Sequence, residues 1–201
     1  MLSIAILAGG QSRRMGEEKA LTLLAGIPLI EHVLKQVDGL GNEIIIATNS
    51  PERLRYLGFR LVLDPIPEAG ALRGLHSAID AMQGDRALVV ACDMPFINRQ
   101  LLRHMIEVPS TADVVIPMCS NEYEPFHALY ARSCLPAIQA AIQKSRRRMI
   151  SFFPDVTVQA VEDDVISRYD PEHISFFNIN TTEDLLRAEE IYRKLSQGRD
   201  T

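Results

Sequence analysis

The residues best suited to chemistry sit in a few short stretches. Leu7-Ala8-Gly9-Gly10-Gln11-Ser12-Arg13-Arg14-Met15-Gly16-Glu17-Glu18-Lys19 directly follows an apolar run. Paired glycines after a buried strand let the backbone approach a ligand closely and point N–H groups at phosphate oxygens. Arg13, Arg14 and Lys19 add positive charge that can offset a triphosphate. The spacing fits neither usual phosphate fingerprint. Gly9, Gly10 and Gly16 do not make G-x-G-x-x-G, and no Gly-Lys-Ser/Thr closes a Walker loop. A Gly-rich turn with a solvated arginine pair is the plainer alternative. Three cations so soon after a first strand favour phosphate binding. Two aspartates, Asp64 and Asp93, come where predicted strands end, although an Asp beside a proline is also an ordinary turn.

These residues need elements to hold them. Leu2 to Ala8 is apolar throughout most of its length, as in a strand covered on both faces of a parallel sheet. From Pro28 to Leu40 the period changes, with Leu29, Ile30, Val33, Leu34 and Val37 on one helical stripe and Pro28 at the helix start. Glu43 to Thr48, Arg60 to Leu63 and Ala87 to Ala91 read as strands, and Arg73 to Met82 as a helix. Ala112 to Pro117 and Pro125 to Tyr130 are later strands, and Ser133 to Lys144 is an amphipathic helix. Ser175 to Asn178 reads as a last strand. A final helix then begins with Thr181 as N-cap and acids in its first turn, and the tail after Gln197 is expected to fray. Strands alternating with helices predict an α/β layered fold with a mostly parallel sheet. Ligands of such sheets bind outside the carboxyl ends of the strands, which selects Ala8-Gly9-Gly10, Asp64 and Asp93.

Composition narrows the class. A chain of 201 residues with 47% hydrophobic and 23% charged residues suits one globular domain. A net charge of -5 argues against a nucleic-acid duplex as partner. The three cysteines, Cys92, Cys119 and Cys134, form no CxxC pair. They are expected to be reduced thiols in a cytoplasmic setting. The short apolar start runs into glycines without a basic segment, so it reads as a strand and not a signal peptide. No apolar run approaches the roughly 18 residues of a membrane span.

The loop resembles the signature L-A-G-G-x-S-R-R-M-G-x-[DE]-K-A-L of the molybdenum cofactor guanylyltransferases, small nucleotidyltransferases with a Rossmann-like, three-layer fold. Gly70-Ala71-Leu72-Arg73-Gly74 is similar to that family's G-P-L-x-G loop. Cys92-Asp93-Met94-Pro95-Phe96 matches its C-D-x-P-[FY] box. Phe176 to Leu185 resembles its F-x-N-x-N-T-P-E-[DE]-L segment. The resemblance covers nearly the whole chain. It implies one nucleotidyltransferase domain over 1–201, with a nucleotide-binding half at about 1–110 and an acceptor-binding half at about 111–197.

By the same resemblance, Leu7, Ala8, Gly9 and Gly10 match backbone that holds the nucleotide, and Lys19, with Arg14 nearby, matches the lysine on the triphosphate. Asp64 matches a nucleotide-binding aspartate. Asp93 matches a Mg²⁺ ligand, which agrees with chemistry at an α-phosphate, because Mg²⁺ takes one or two carboxylates plus phosphate oxygens. Arg147 and Arg148 match an arginine pair at the pterin acceptor, although a run such as Arg146-Arg147-Arg148 is often a solvated face. Asn178 and Asn180, alternating on a predicted strand, lie where the acceptor sits. Turn and capping duty ahead of Thr181 is an equal alternative for them. His32, His76, His127 and Cys92 are expected to pack or to face solvent. Four departures from the pattern stand out: Glu18 for Asp, Ala71 for Pro, Arg73 for a small residue, and Thr182 for Pro.

The expected activity is Mg²⁺-dependent transfer of GMP from GTP to the phosphate of molybdenum-bound molybdopterin, with molybdoenzymes or their chaperones as downstream partners. Three rivals remain. They are a cytidylyltransferase on the same pterin, whose loop more often reads Leu-Ala-Ala-Gly, a small-substrate nucleotidyltransferase, and a non-catalytic nucleotide or pterin carrier.

Overall fold

The computed structural model describes residues 1–9, 18–63 and 70–197. In chain order the strands are β1 (Leu2–Ala8), β2 (Leu23–Leu24), β3 (Ile27–Pro28), β4 (Glu43–Thr48), β5 (Arg60–Leu63), β6 (Arg86–Ala91), β7 (Val114–Cys119), β8 (Glu122–Tyr123), β9 (His127–Ala131) and β10 (Val158–Val161). The helices are α1 (Leu29–Val37), α2 (Pro51–Leu54), α3 (Ala71–Ala81), α4 (Arg99–Glu107), α5 (Leu135–Gln143), α6 (Asp163–Tyr169) and α7 (Thr182–Gln197).

The main sheet runs β10-β7-β9-β6-β1-β4-β5, with β8 paired to β7. Strand β1 lies parallel between β4 and β6, β4 is parallel to β5, and β7 is parallel to β10. Strand β9 alone among the long strands runs antiparallel, to both β6 and β7. The sheet is therefore mostly parallel and mixed, flanked by helices, as the alternating pattern predicts. Because β9 reverses between them, β6 and β7 point the same way, and their carboxyl ends share one edge with β1.

Alternation along β1 sorts the core. Ile4 and Ile6 face α1, α4 and α6 through Ile30, Val33, Leu101, Met105 and Ile166. Ala5 and Leu7 face α3 and α5 through Leu72, Leu75, Ile79 and Ile138. Side chains with period two in the strand and near 3.6 in the helices meet on both faces. Each buried Leu, Ile or Val there contributes roughly 1.5–3 kcal/mol. A smaller cluster of Leu24, Leu29, Ile179 and Ala188 seats α7 on the β2–β3 hairpin.

Three expectations are corrected. Helix α1 stops at Val37 instead of Leu40. Ser175 to Asn178 is not a strand: residues Ile174–Phe176 form a 3-10 turn. The cause is Asp170, whose carboxylate takes the Ile174 and Ser175 N–H groups at 3.1 and 2.8 Å, so those donors are unavailable to a sheet. Asn178 and Asn180 consequently do not alternate on a strand face. Finally, α2, α4, α6, β10 and the two short hairpins go unread in the sequence, although α4 carries a clear apolar stripe of Leu101, Leu102 and Met105 behind an Asn98 cap.

Candidate active site

The site is assembled from five chain segments at the carboxyl edge of the sheet. Strand β1 delivers Gly9. Asn49, just past β4, donates its side-chain amide to the Gly9 carbonyl at 2.8 Å. A Cβ on Gly9 would lie 3.3 Å from that Asn49 nitrogen, so the close approach of the two segments favours glycine. The Asn49 Oδ1 atom is buried with no hydrogen-bond partner among the described residues.

Strand β6 delivers Asp93. The Cys92 N–H bonds the Leu7 carbonyl at 3.1 Å, which continues the β1–β6 ladder one step beyond β6. Asp93 therefore leaves the sheet beside the end of β1. Lys19 opens a 3-10 turn, Lys19–Leu21. Its Nζ donates to Asp93 Oδ2 at 2.8 Å and also to Asn180 Oδ1. Both charged side chains are largely removed from solvent, at 15% and 12% exposure. Burial raises the cost of leaving either charge alone.

Asn180 reaches Lys19 because its segment is tied at both ends. The Ile179 N–H donates to the Asp93 carbonyl at 3.0 Å. The Asp184 carboxylate accepts the Asn180 and Thr181 N–H groups at 3.0 and 2.9 Å, and Thr181 Oγ1 accepts the Asp184 N–H at 3.1 Å. This is a reciprocal capping box at the start of α7, with Thr181 as N-cap as expected. The bond from the Asn180 backbone, then that from the Thr181 hydroxyl, holds the Asp184 carboxyl below its ordinary range. Asn180 thus has its backbone in the cap and its side chain on Lys19. Asn178 Oδ1 is buried and lacks a partner among the described residues.

The donors converging on the Lys19 ammonium are hard oxygens, a carboxylate from Asp93 and an amide from Asn180, with the Asn178 amide oxygen on the same segment. Such a set suits Mg²⁺ far better than a soft metal.

Other residues lie elsewhere. Leu7 and Ala8 are buried in β1. Gly10, Arg14 and Asp64 fall outside the described residues, as does Arg13. Arg147 and Arg148 are exposed, and among the described residues no hydrogen bond or ion pair joins them to Lys19 and Asp93. The Arg147 carbonyl instead packs on Gly70, 3.2 Å from where a Cβ would stand, and Gly70 has φ +79°. That contact sets the arginine run beside the start of α3. Arg73, in the first turn of α3, buries its Nε without a partner among the described residues. Glu18 turns inward near Thr48 and Arg53, and burial raises its carboxyl pKa despite Arg53. Cys92 is buried and its thiol is pushed well up by burial and then by Asp93, consistent with a packing role. His127 is also buried, against Phe176. Asn49 was missed by sequence reasoning, because its contact exists only once β4 pairs with β1.

The pattern of the MobA-like NTP transferase domain matches residues 4–158. A protein of Pelotomaculum thermopropionicum named "Probable molybdenum cofactor guanylyltransferase" is 36% identical over 194 residues, covering 96% of this chain and 95% of that one. The chain belongs to the molybdenum cofactor guanylyltransferase family. A second member, the molybdenum cofactor guanylyltransferase of Desulfosudis oleivorans, is 34% identical, with 92% of each chain covered. Among solved structures, the molybdopterin-guanine dinucleotide biosynthesis protein A of Archaeoglobus fulgidus superposes with a TM-score of 0.83. It is 31% identical and covers 96% of this chain and 99% of its own. As a member of the molybdenum cofactor guanylyltransferase family, the chain is a MobA-like nucleotidyltransferase. Among the described residues no helix is long and apolar enough to cross a membrane.

Proposed function

We propose that this protein transfers GMP from GTP to the phosphate of molybdenum-bound molybdopterin and releases pyrophosphate. The observation that carries the reading is the convergence of Lys19, Asp93 and Asn180 beside Gly9. An ammonium, a carboxylate and an amide oxygen at the end of β1 form a cradle for a triphosphate and its counter-ion. The names of the family's members supply the guanylyl donor and the pterin acceptor.

An oxygen of the acceptor phosphate attacks the α-phosphorus of GTP. The bond from that phosphorus to the β-phosphate oxygen breaks, and pyrophosphate leaves with the electron pair. Lys19 moves from its ion pair with Asp93 onto the phosphate oxygens, where it offsets their charge. Asp93 and Asn180, released by Lys19, are the residues that would hold Mg²⁺. When bound, that ion neutralises charge on the transferring group and on the leaving pyrophosphate. The Gly9 backbone, steadied by Asn49, lines the donor side. Arg147 and Arg148 are assigned to the acceptor, whose phosphate a pair of guanidiniums suits.

The test pairs binding with turnover. Calorimetric titration with each common nucleoside triphosphate and Mg²⁺ is expected to favour GTP. Asp93→Asn is expected to abolish pyrophosphate release while the protein stays folded. Near-normal turnover in that variant would remove Asp93 from the reaction. A preference for CTP would move the reading to cytidylyl transfer and leave the site intact.

A further inference from the structure

At the same sheet edge, two strands from Asp93, a second group of ligating side chains comes together. Cys119 ends β7, Asp163 begins α6, and His173 lies on the turn after α6. One donor atom from each, a sulfur, a carboxylate oxygen and a ring nitrogen, lies within 4.8 Å of the other two.

The fold places them deliberately close. Strands β7 and β10 are parallel with Pro117 opposite Val161. The ladder ends at that pair, and two residues further along each chain come Cys119, at the end of β7, and Asp163, at the start of α6. Helix α6 then folds back over the sheet and packs Ile166 into the core. Asp170 anchors the turn that follows by accepting the Ile174 and Ser175 N–H groups. His173 takes a left-handed backbone, φ 52°, and its Nε2 stands 3.4 Å from Asp163 Oδ1 and 3.3 Å from Ser167 Oγ. The carboxyl groups of Glu124 and Asp170 also lie near Cys119.

We propose that Cys119, Asp163 and His173 form a second metal site, for a divalent transition-metal ion of the zinc class, distinct from the oxygen-donor site at Asp93. One sulfur, one imidazole and one carboxylate are a donor set that Zn²⁺ and Co²⁺ accept and Mg²⁺ does not. Tetrahedral bonds of about 2.0–2.3 Å put donor atoms roughly 3.5 Å apart, so closure needs a movement of only about an ångström. The Cys119 thiol proton leaves to solvent as the metal–sulfur bond forms, and water completes the fourth position. The ion would staple β7 to α6 and to the turn that leads on to Asn178 and Asn180.

Cobalt reports directly on such a site. Titration of the full-length protein, first stripped with a chelator, with Co²⁺ in excess Mg²⁺ is expected to give a thiolate-to-cobalt charge-transfer band that Zn²⁺ abolishes. Cys119→Ser and His173→Gln are expected to lose the band, and Asp93→Asn to keep it. Circular dichroism confirms folding of each variant. If Cys119→Ser does not fold, His173→Gln carries the comparison. No band in the folded parent, a band that survives both variants, or one that vanishes with Asp93→Asn overturns the proposal. None of these outcomes depends on nucleotidyl transfer.

Discussion

Lys19 Nζ lies 2.8 Å from Asp93 Oδ2, although 74 positions separate the two residues along the chain. A cation occupies the place where a carboxylate and an amide oxygen converge. Under the proposed reaction a triphosphate draws that cation away, and removing Lys19 both strips charge from the nucleotide site and leaves Asp93 without its ion-pair partner. For Lys19→Ala the expected loss is a charge-assisted hydrogen bond of about 1.5–3 kcal/mol, or roughly 10- to 100-fold in the Kd for GTP. Calorimetry checks it, and an unchanged Kd would count against the lysine's assignment.

Asn180 is held by a cap that can be loosened without touching the cleft. In Thr181→Ala the Asp184 N–H loses its acceptor, and α7 loses about 1 kcal/mol of capping. Asn180 should then occupy its position beside Lys19 less often. Unfolding in urea reads the first effect. A fall in kcat with little change in GTP affinity reads the second.

Gly70 carries φ +79° and faces the Arg147 carbonyl. Gly70→Ala forces an alanine into a backbone region, φ 79° and ψ 176°, that is essentially reserved for glycine, at about 1–3 kcal/mol, and presses a Cβ against that carbonyl. The arginine run must shift, so KM for the acceptor is expected to rise more than KM for GTP. Steady-state kinetics with each substrate varied in turn separates the two.

His127 is fully buried with neither ring nitrogen partnered among the described residues. Burial lowers its pKa to about 4, against an opposing pull from Asp170. A histidine whose folded pKa is depressed stays neutral in the native state while the unfolded chain takes up a proton. Its contribution is present above the ordinary pKa of about 6.5 and is lost as pH falls toward 4, at up to about 1.4 kcal/mol per unit. His127→Phe should flatten stability between pH 6.5 and 4.5, measured by denaturant unfolding; an unaltered slope would mean that the imidazole charges at little cost. Asp184, whose carboxyl is held low, acts in a more acidic window.

Much of this molecule is legible along the chain. The buried run of β1, the stripe of α1 and the cap at Thr181 are local patterns, and local patterns survive without knowledge of the fold. Lys19 and Asp93 were readable singly, one as a cation after a glycine loop and one as a strand-end carboxylate. Ser175 to Asn178 was misread because its two phenylalanines favour a strand, whereas Asp170 takes the N–H groups of Ile174 and Ser175. Residue order thus determined which elements form and which side chains carry charge, since propensity and periodicity act over a few neighbours. Only tertiary structure decided that Lys19 meets Asp93 and Asn180, that Asn49 steadies Gly9, and that Cys119, Asp163 and His173 share one corner. Those contacts span from ten to 161 positions along the chain, and the packing of strand ends, turns and helices onto one sheet edge is what brings them together.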